Sequence, residues 1–132
     1  MSGAETMAGL YAAFARGDIE AVLGAMDPEV HWYEAEGNPY MPSGDPWIGP
    51  NEVLNQLFVR LGDDWEEFHV NPISYHEAGD VVVVEAWYNG KHARTGKALD
   101  SQVCHVWTLR DGKIAKFQQY VDTAQLQDVM GA

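Results

Sequence analysis

The stretch VVVVEAWYNGKHARTGKALDSQVCHVWTLRDGKIAKFQQYV, residues 81–121, carries an apolar or aromatic side chain at almost every second position. This period of two is typical of β-strands with one buried face, and the glycine-containing breaks within it are typical of turns. Together with the segment that precedes it, the stretch predicts four strands, at Trp65–Tyr75, Val81–Tyr88, Ala98–Leu109 and Ile114–Val121. Because no helix separates them, we expect consecutive strands to pair antiparallel.

The N-terminal half carries its apolar residues at helical spacing instead. We predict three helices, the first ending near Gly17, the second spanning Asp18–Met26 and the third spanning Pro50–Leu61. Asp18 provides an N-cap for the second helix, and Pro50 suits the first turn of the third. A short strand, Val30–Glu34, is predicted between these two helices.

Length and charge limit the classes of protein that this chain can belong to. A chain of 132 residues is long enough for one core, so we expect a single domain over residues 1–132. Eight basic against twenty acidic residues give a formal net charge of −12, which repels phosphate backbones and anionic membranes. We therefore expect no nucleic-acid partner and no membrane partner. No apolar run approaches the ~20 residues that span a bilayer, and the N-terminus lacks a basic leader, so we expect a cytoplasmic protein.

The sequence gives little support to metal or disulfide chemistry. Cys104 is the single cysteine, which excludes an intrachain disulfide and a cysteine-based zinc site. The histidines outside the strand at 98–109 show no spacing that converges on a metal; they are His31, His69, His76 and His92. We predict no metal site and no cofactor.

Three segments carry a resemblance to a known family: FARGDIEAVLGAMDPEVHW (14–32), GDPWIGPNEVLNQLF (44–58) and ARTGKALDSQVCHVWTLRDGKIAKFQQYVDTAQL (93–126). They resemble the SnoaL-like and ketosteroid isomerase-like branch of the nuclear transport factor 2-like (NTF2-like) superfamily, which includes ketosteroid isomerases, polyketide cyclases and limonene-epoxide hydrolases. The resemblance implies an α+β fold with a cone-shaped, curved antiparallel (mixed) β-sheet. Three helices from the N-terminal half would pack on its concave face, and the cone would hold a small hydrophobic molecule.

Alternation along the strands brings three polar residues among apolar neighbours. Residues two apart share a face of a strand, so the apolar and aromatic residues of each strand indicate which polar ones face inward. By this rule Glu34 lies with Trp32, His105 with Val103 and Trp107, and Gln119 with Phe117 and Val121. An apolar wall with a few convergent polar groups is typical of a small-molecule site.

The resemblance implies roles for these polar residues. Glu34 is similar in place to the general base of ketosteroid isomerases, and His105 lies near the carboxylic acid that donates a hydrogen bond to the developing oxyanion. Gln119 stands where cyclases and epoxide hydrolases keep an aspartate, and an amide cannot exchange a proton. The amide argues against cyclase or epoxide-hydrolase chemistry, but with His105 it, or Tyr11, could stabilise an enolate oxygen. Glu34, His105 and Gln119 are the predicted catalytic residues. Each also has a structural alternative, since His105 could be a hydrogen-bonded core histidine, Glu34 could turn to solvent, and Gln119 could only line the cavity.

The predicted ligand-binding residues are the large apolar side chains that face the cone. They are Tyr11, Phe14, Trp32, Tyr40, Trp47, Leu54, Phe58, Tyr88, Val103, Trp107, Phe117 and Val121. Tyr40 and Trp47 belong to a loop rich in proline and glycine, AEGNPYMPSGDPWIGP (35–50), which we expect to be ordered at the mouth of the cone. Tyr11 can correspond to the tyrosine on the first helix of the isomerases or be a packed core residue.

Two classes of function remain open. One is an enzyme that isomerises a small carbonyl compound by proton transfer, with Glu34 as base. The other is an accessory protein that holds a hydrophobic metabolite in the same pocket without turnover, which the amide at Gln119 favours. The run Val81–Val84 is apolar on both faces of its strand, so we also expect a homodimer through the outer face of the sheet.

Overall fold

A six-stranded sheet dominates the fold, which a computed structural model describes for residues 2–132. Its strands are β1 (Met26–Tyr33), β2 (Trp47–Ile48), β3 (Trp65–Ala78), β4 (Val81–His92), β5 (Ala98–Arg110) and β6 (Lys113–Val121). The helices are α1 (Gly3–Ala15), α2 (Ile19–Gly24), α3 (Pro50–Val53), α4 (Val59–Asp64) and α5 (Thr123–Met130), with a π-helical turn (Leu54–Phe58) joining α3 to α4.

The sheet is mixed and curved. Its strand order is β2-β1-β6-β5-β4-β3, and every neighbouring pair is antiparallel except β1 and β6, which run parallel. Shifts of register between Trp65 and Glu67, between Pro72 and Ser74, and between Thr108 and Leu109 bend the long strands. Helix α1 packs against β3 and β4, and α3 packs against β1. The predicted α+β fold with a mixed, curved sheet is confirmed.

The second helix is shorter than predicted. Asp18 accepts a hydrogen bond from the Ala21 amide at 3.1 Å, as expected for an N-cap, but α2 ends at Gly24. Met26 was predicted on this helix and instead begins β1, which includes Pro28. Pro28 is tolerated there because the β1–β6 ladder is irregular between Met26 and His31, where a missing N–H costs no ladder bond.

The third predicted helix is present but contains a π-helical turn. Pro50 occupies its first turn after Gly49, whose φ of 87° lies in the left-handed region that favours glycine. At the C-terminus, Asp122 accepts a hydrogen bond from the Gln125 amide at 3.0 Å and caps α5. Within residues 2–132, none of the helices is long and apolar enough to cross a membrane.

Candidate functional site

A cavity lies between the helices and the concave face of the sheet. Its volume is about 80 Å³, against the roughly 10–15 Å³ that one water molecule requires. The cavity wall is formed by Leu10, Tyr11, Phe14, Val22, Trp32, Glu34, Asn38, Tyr40, Leu57, Phe58, Leu61, Phe68, Val70, Tyr88, His105, Trp107, Phe117, Gln119 and Leu126. Most of these side chains are apolar or aromatic, so the few polar groups among them define what the cavity can bind.

Glu34 is a buried carboxyl group with little hydrogen-bonding support. It follows the last residue of β1 and is only 6% exposed. Among the described residues, its side chain receives one hydrogen bond, from the indole Nε1 of Trp32 at 3.3 Å. Burial raises the pKa of Glu34 to about 7, and the Trp32 hydrogen bond offsets this only in part.

His105 is buried and held on both ring nitrogens. The Tyr11 hydroxyl lies 2.6 Å from Nδ1, and the Tyr88 hydroxyl lies 2.7 Å from Nε2. Burial lowers the pKa of His105 to about 3, so the imidazole is neutral near pH 7. Since both nitrogens already have partners, His105 has no free polar atom for a ligand, although its ring lines the cavity.

Gln119 connects this histidine cluster to the loop after β1. Its Nε2 donates to the Tyr88 hydroxyl at 2.9 Å, and its Oε1 accepts from the Asn38 side chain at 2.9 Å and from the Ala35 amide at 3.2 Å. On the ladder between β5 and β6, Gln119 is the direct partner of His105. Gln119 therefore positions Tyr88 and the loop, and no acid or base stands at this place in the cavity.

Aromatic rings form the apolar wall around these polar groups. Trp32 packs on Phe117 with ring centroids 4.0 Å apart, and Trp107 packs on Phe117 at 4.5 Å. The indole Nε1 of Trp107 donates to the Tyr11 hydroxyl at 2.9 Å. The sequence did not distinguish a core role for Tyr11 from a role in the site. The structure shows both: the ring is buried in the core, and the hydroxyl contacts His105 and Trp107.

Tyr40 ties the proline-rich loop to the helix that ends before β3. Its hydroxyl donates to Asp64 at 2.7 Å and accepts from the indole Nε1 of Trp65 at 3.1 Å. The Arg60 guanidinium lies over the Tyr40 ring, 4.4 Å from its centroid. The loop is therefore ordered at this point, and Tyr40 lines the cavity.

The structure brings the three predicted catalytic residues to the cavity together with eight of the predicted ligand-binding residues. These eight are Tyr11, Phe14, Trp32, Tyr40, Phe58, Tyr88, Trp107 and Phe117. Trp47, Leu54, Val103 and Val121 do not line it. Trp47, on β2, is the ladder partner of Trp32 on β1 and is buried in the core. Leu54 begins the π-helical turn, after which Leu57, Phe58 and Leu61 face the cavity.

Val103 and Val121 face the core, as alternation predicts, but they lie beyond the end of the cavity: Val103 is buried in the core and Val121 packs against it. They are ladder partners of each other, and β6 ends at Val121, where the chain turns into α5. Both also border a surface groove next to the exposed Tyr120. Alternation predicts the face on which a residue lies but not where the cavity ends along the strand.

Sequence reasoning missed several wall residues, of which Asn38 matters most. Its Oδ1 accepts from the Tyr40 amide at 2.9 Å, and its Nδ2 binds Gln119. Asn38 lies on a loop without periodicity, so no pattern could place it, although an asparagine before Pro39 is typical of an ordered turn. Phe68 and Leu126 were missed because they come from the edge strand β3 and from α5.

The fold and this cavity define a small α+β protein with an enclosed polar cluster. The family model described as a SnoaL-like domain matches residues 7–117, and the chain therefore belongs to the SnoaL-like family, within the NTF2-like superfamily. No curated protein matches this chain.

Three solved structures have the same fold and are 26–32% identical to this chain. An NTF2-like protein from Burkholderia thailandensis E264 is 32% identical over 96% of this chain and 95% of its own, with a TM-score of 0.89. An NTF2-like protein of unknown function from Burkholderia pseudomallei K96243 is 26% identical over the whole of both chains, with a TM-score of 0.89. TerC, co-crystallised with polyporic acid, is 26% identical over 97% of both chains, with a TM-score of 0.84.

Proposed function

We propose that this protein binds a small carbonyl compound in its cavity and isomerises it by proton transfer, with Glu34 as the general base. The observation that carries this proposal is Glu34 itself, a buried carboxyl group in an apolar cavity with one hydrogen bond among the described residues. A pKa of about 7 lets this group both accept and return a proton at neutral pH.

The proposed reaction uses Glu34 twice. The ionised carboxylate takes a proton from the carbon next to the carbonyl, and the electrons of that C–H bond move into the enolate. The protonated Glu34 then returns the proton to a different carbon of the same molecule, and the base is regenerated. No cofactor enters this sequence, since no net oxidation or group transfer takes place.

The developing negative charge on the enolate oxygen needs a hydrogen-bond donor. The sequence predicted His105 for this role, but both of its ring nitrogens are engaged by tyrosines. We therefore assign the donor role to a tyrosine hydroxyl of this cluster. His105 becomes a positioning residue, and Gln119 supports the same cluster without contacting the reacting atoms.

The size of the cavity limits the ligand class. About 80 Å³ admits a molecule that displaces a handful of waters, which favours a single small ring or a short chain. TerC, a protein of the same fold at 26% identity, was co-crystallised with polyporic acid, which supports a small organic molecule as the ligand class.

The second candidate is a binding protein without turnover. The observation that favours it is Gln119, whose amide stands among the polar groups of the cavity and is fixed by Ala35 and Asn38. Such a protein would use the same wall and the same hydroxyl groups to hold a metabolite, and Glu34 would then serve only as a hydrogen-bond partner.

The test uses 3-cyclohexenone, whose conversion to 2-cyclohexenone needs only the removal of a proton from the carbon next to the carbonyl and its return to another carbon, and creates an absorbing conjugated enone. We expect conversion by the wild type and a loss of at least a hundredfold in Glu34→Gln, because general bases contribute about 10²–10⁴-fold. Glu36→Gln is the matched control, since Glu36 is exposed two residues away. Binding without conversion would favour the second candidate, and the absence of binding would contradict both.

We also propose that the protein is a homodimer that pairs through the outer face of the sheet. Ile73, Trp87 and Tyr120 are exposed large apolar residues on this face, at 64%, 37% and 58%. Ile73 is on β3, Trp87 on β4 and Tyr120 on β6, and together they border one surface groove. This apolar patch, which Glu85 and Gln102 interrupt, favours a protein partner, and a second copy would bury it symmetrically.

A further inference from the structure

The hydrogen atoms of the Tyr11–His105–Tyr88 cluster can be counted. A neutral imidazole carries one N–H donor and one acceptor nitrogen. Nδ1 faces the Tyr11 hydroxyl at 2.6 Å and Nε2 faces the Tyr88 hydroxyl at 2.7 Å. One tyrosine must therefore donate its hydroxyl hydrogen to the ring, while the other accepts the ring N–H.

Each tyrosine oxygen also accepts a hydrogen bond from outside the cluster. Trp107 can only donate, so its Nε1 gives a hydrogen to Tyr11 at 2.9 Å. The orientation of the Gln119 amide is fixed by the backbone, because the Ala35 N–H must point at its oxygen. The Gln119 Nε2 therefore donates to Tyr88 at 2.9 Å.

It follows that one hydroxyl hydrogen is left over. Tyr11 and Tyr88 bring two hydroxyl hydrogens and His105 brings one N–H, yet only two hydrogen bonds join the three groups. The tyrosine that accepts the ring N–H keeps its own hydrogen unused. Both tyrosines line the cavity, so this hydrogen is available to a ligand there.

The charge of Glu34 decides between the two arrangements. Tyr88 is the tyrosine joined to the Glu34 end of the cavity, because Gln119 donates to its hydroxyl and accepts from the amide of Ala35, the residue that follows Glu34. The charge of Glu34 is also a cause, after burial, that raises the pKa of Tyr88. A nearby carboxylate favours the arrangement in which the hydroxyl hydrogen of Tyr88 points toward it rather than into the imidazole ring. This arrangement requires a hydrogen on Nε2 of His105 and a hydrogen bond from Tyr11 to Nδ1.

We propose that His105 is the Nε2–H tautomer and that the Tyr88 hydroxyl is the donor that binds the carbonyl oxygen of the ligand. The inference about the ligand rests on the proposed function, since it places this oxygen next to the base Glu34. Tyr88 is then a catalytic residue because it touches the substrate, whereas His105 positions it.

The tautomer is tested first, in the ligand-free protein. A ¹⁵N spectrum of the histidine rings, assigned with His105→Gln, distinguishes a protonated Nε2 from a protonated Nδ1. We expect the Nε2–H form in the wild type and also in Tyr11→Phe, which leaves the Nε2–Tyr88 bond intact. A protonated Nδ1 in the wild type would overturn the proposal.

The donor is tested with 2-cyclohexenone labelled with ¹³C at the carbonyl carbon. A hydrogen bond to the carbonyl oxygen moves this resonance downfield, and we expect that shift on binding to the wild type and to Tyr11→Phe. Tyr88→Phe should lose the shift and bind about tenfold more weakly, as expected for one hydrogen bond. A retained shift in Tyr88→Phe, together with its loss in Tyr11→Phe, would overturn the assignment of Tyr88 and leave the proposed function standing.

Failure of the proposed function gives a different result. If the enone does not bind the wild type, the carbonyl ligand and the proposed isomerisation both fail, whatever the tautomer. If it binds with the Tyr88-dependent shift but is not formed from 3-cyclohexenone, the assignment of Tyr88 holds and the protein is a binder.

Discussion

The indole Nε1 of Trp32 lies 3.3 Å from Oε2 of Glu34, and within residues 2–132 this is the one hydrogen bond that the carboxyl group receives. An ionised carboxylate in a buried site normally has two or more donors or a cation. Glu34 has neither among the described residues, which is why its pKa rises to about 7. Burial therefore destabilises the ionised form of Glu34 and favours the form that carries a proton.

Glu34 should make the protein less stable as the pH rises. Its pKa is about 7 in the fold against an ordinary 4.5, so the folded protein holds a proton between these values that the unfolded chain has released. The free energy of unfolding should fall by about 3 kcal/mol from pH 4.5 to 7.5 through this group. Glu34→Gln should remove this fall, which urea unfolding at several pH values measures. Glu36→Gln should keep it, and an unchanged pH dependence in Glu34→Gln would contradict the raised pKa.

His105 should act in the opposite direction at acid pH. Its pKa is about 3 in the fold against an ordinary 6.5, so the unfolded chain binds a proton first as the pH falls. Stability through this group is present above pH 6.5 and is lost as the pH falls toward 3, on the order of 4 kcal/mol. The two groups together predict a stability maximum between about pH 4.5 and 6.5. His105→Gln should be less stable at neutral pH but lose less stability on acidification, and a steeper acid loss would show that His105 is not the cause.

The Tyr40 hydroxyl should stabilise the loop at 35–46. Tyr40→Phe removes a bond to Asp64 and leaves the Trp65 N–H without its acceptor. We expect a loss of about 1–3 kcal/mol in the free energy of unfolding and faster amide hydrogen exchange around residue 40. Tyr120→Phe is the control, since that hydroxyl is on an exposed side chain. Equal stability of the two variants would argue against the role of the hydroxyl.

The outer face of the sheet should hold the dimer together. Tyr120→Lys combined with Ile73→Lys places two charges in the apolar patch, which should give a monomer in sedimentation at micromolar concentration. Ile48→Lys is the matched control, because Ile48 is also an exposed apolar residue but lies on β2, outside this groove. A wild type that sediments as a monomer would contradict the proposed dimer.

Residue periodicity was enough to place most of the cavity wall. Trp32, Trp107 and Phe117 were placed correctly because strand alternation is a local property that neighbouring residues share. Alternation did not show that the cavity ends before Val103 and Val121, and helical spacing failed at Leu54, where a π-helical turn begins. These errors lie at the ends and irregularities of elements, which local patterns do not record.

The sequence by itself determined the long strands, the three N-terminal helices and the shared face of Glu34, His105 and Gln119 with their apolar neighbours, because apolar periodicity decides which face of each strand is buried; the mixed sheet followed from the family resemblance. Only the tertiary structure decided what these groups do to one another. His105 is engaged by Tyr11 from α1 and by Tyr88 from β4, which lie 94 and 17 residues away in the chain. Contacts between such distant residues depend on how the helices close over the curved sheet, and that closure isolates Glu34 from water and sets its pKa.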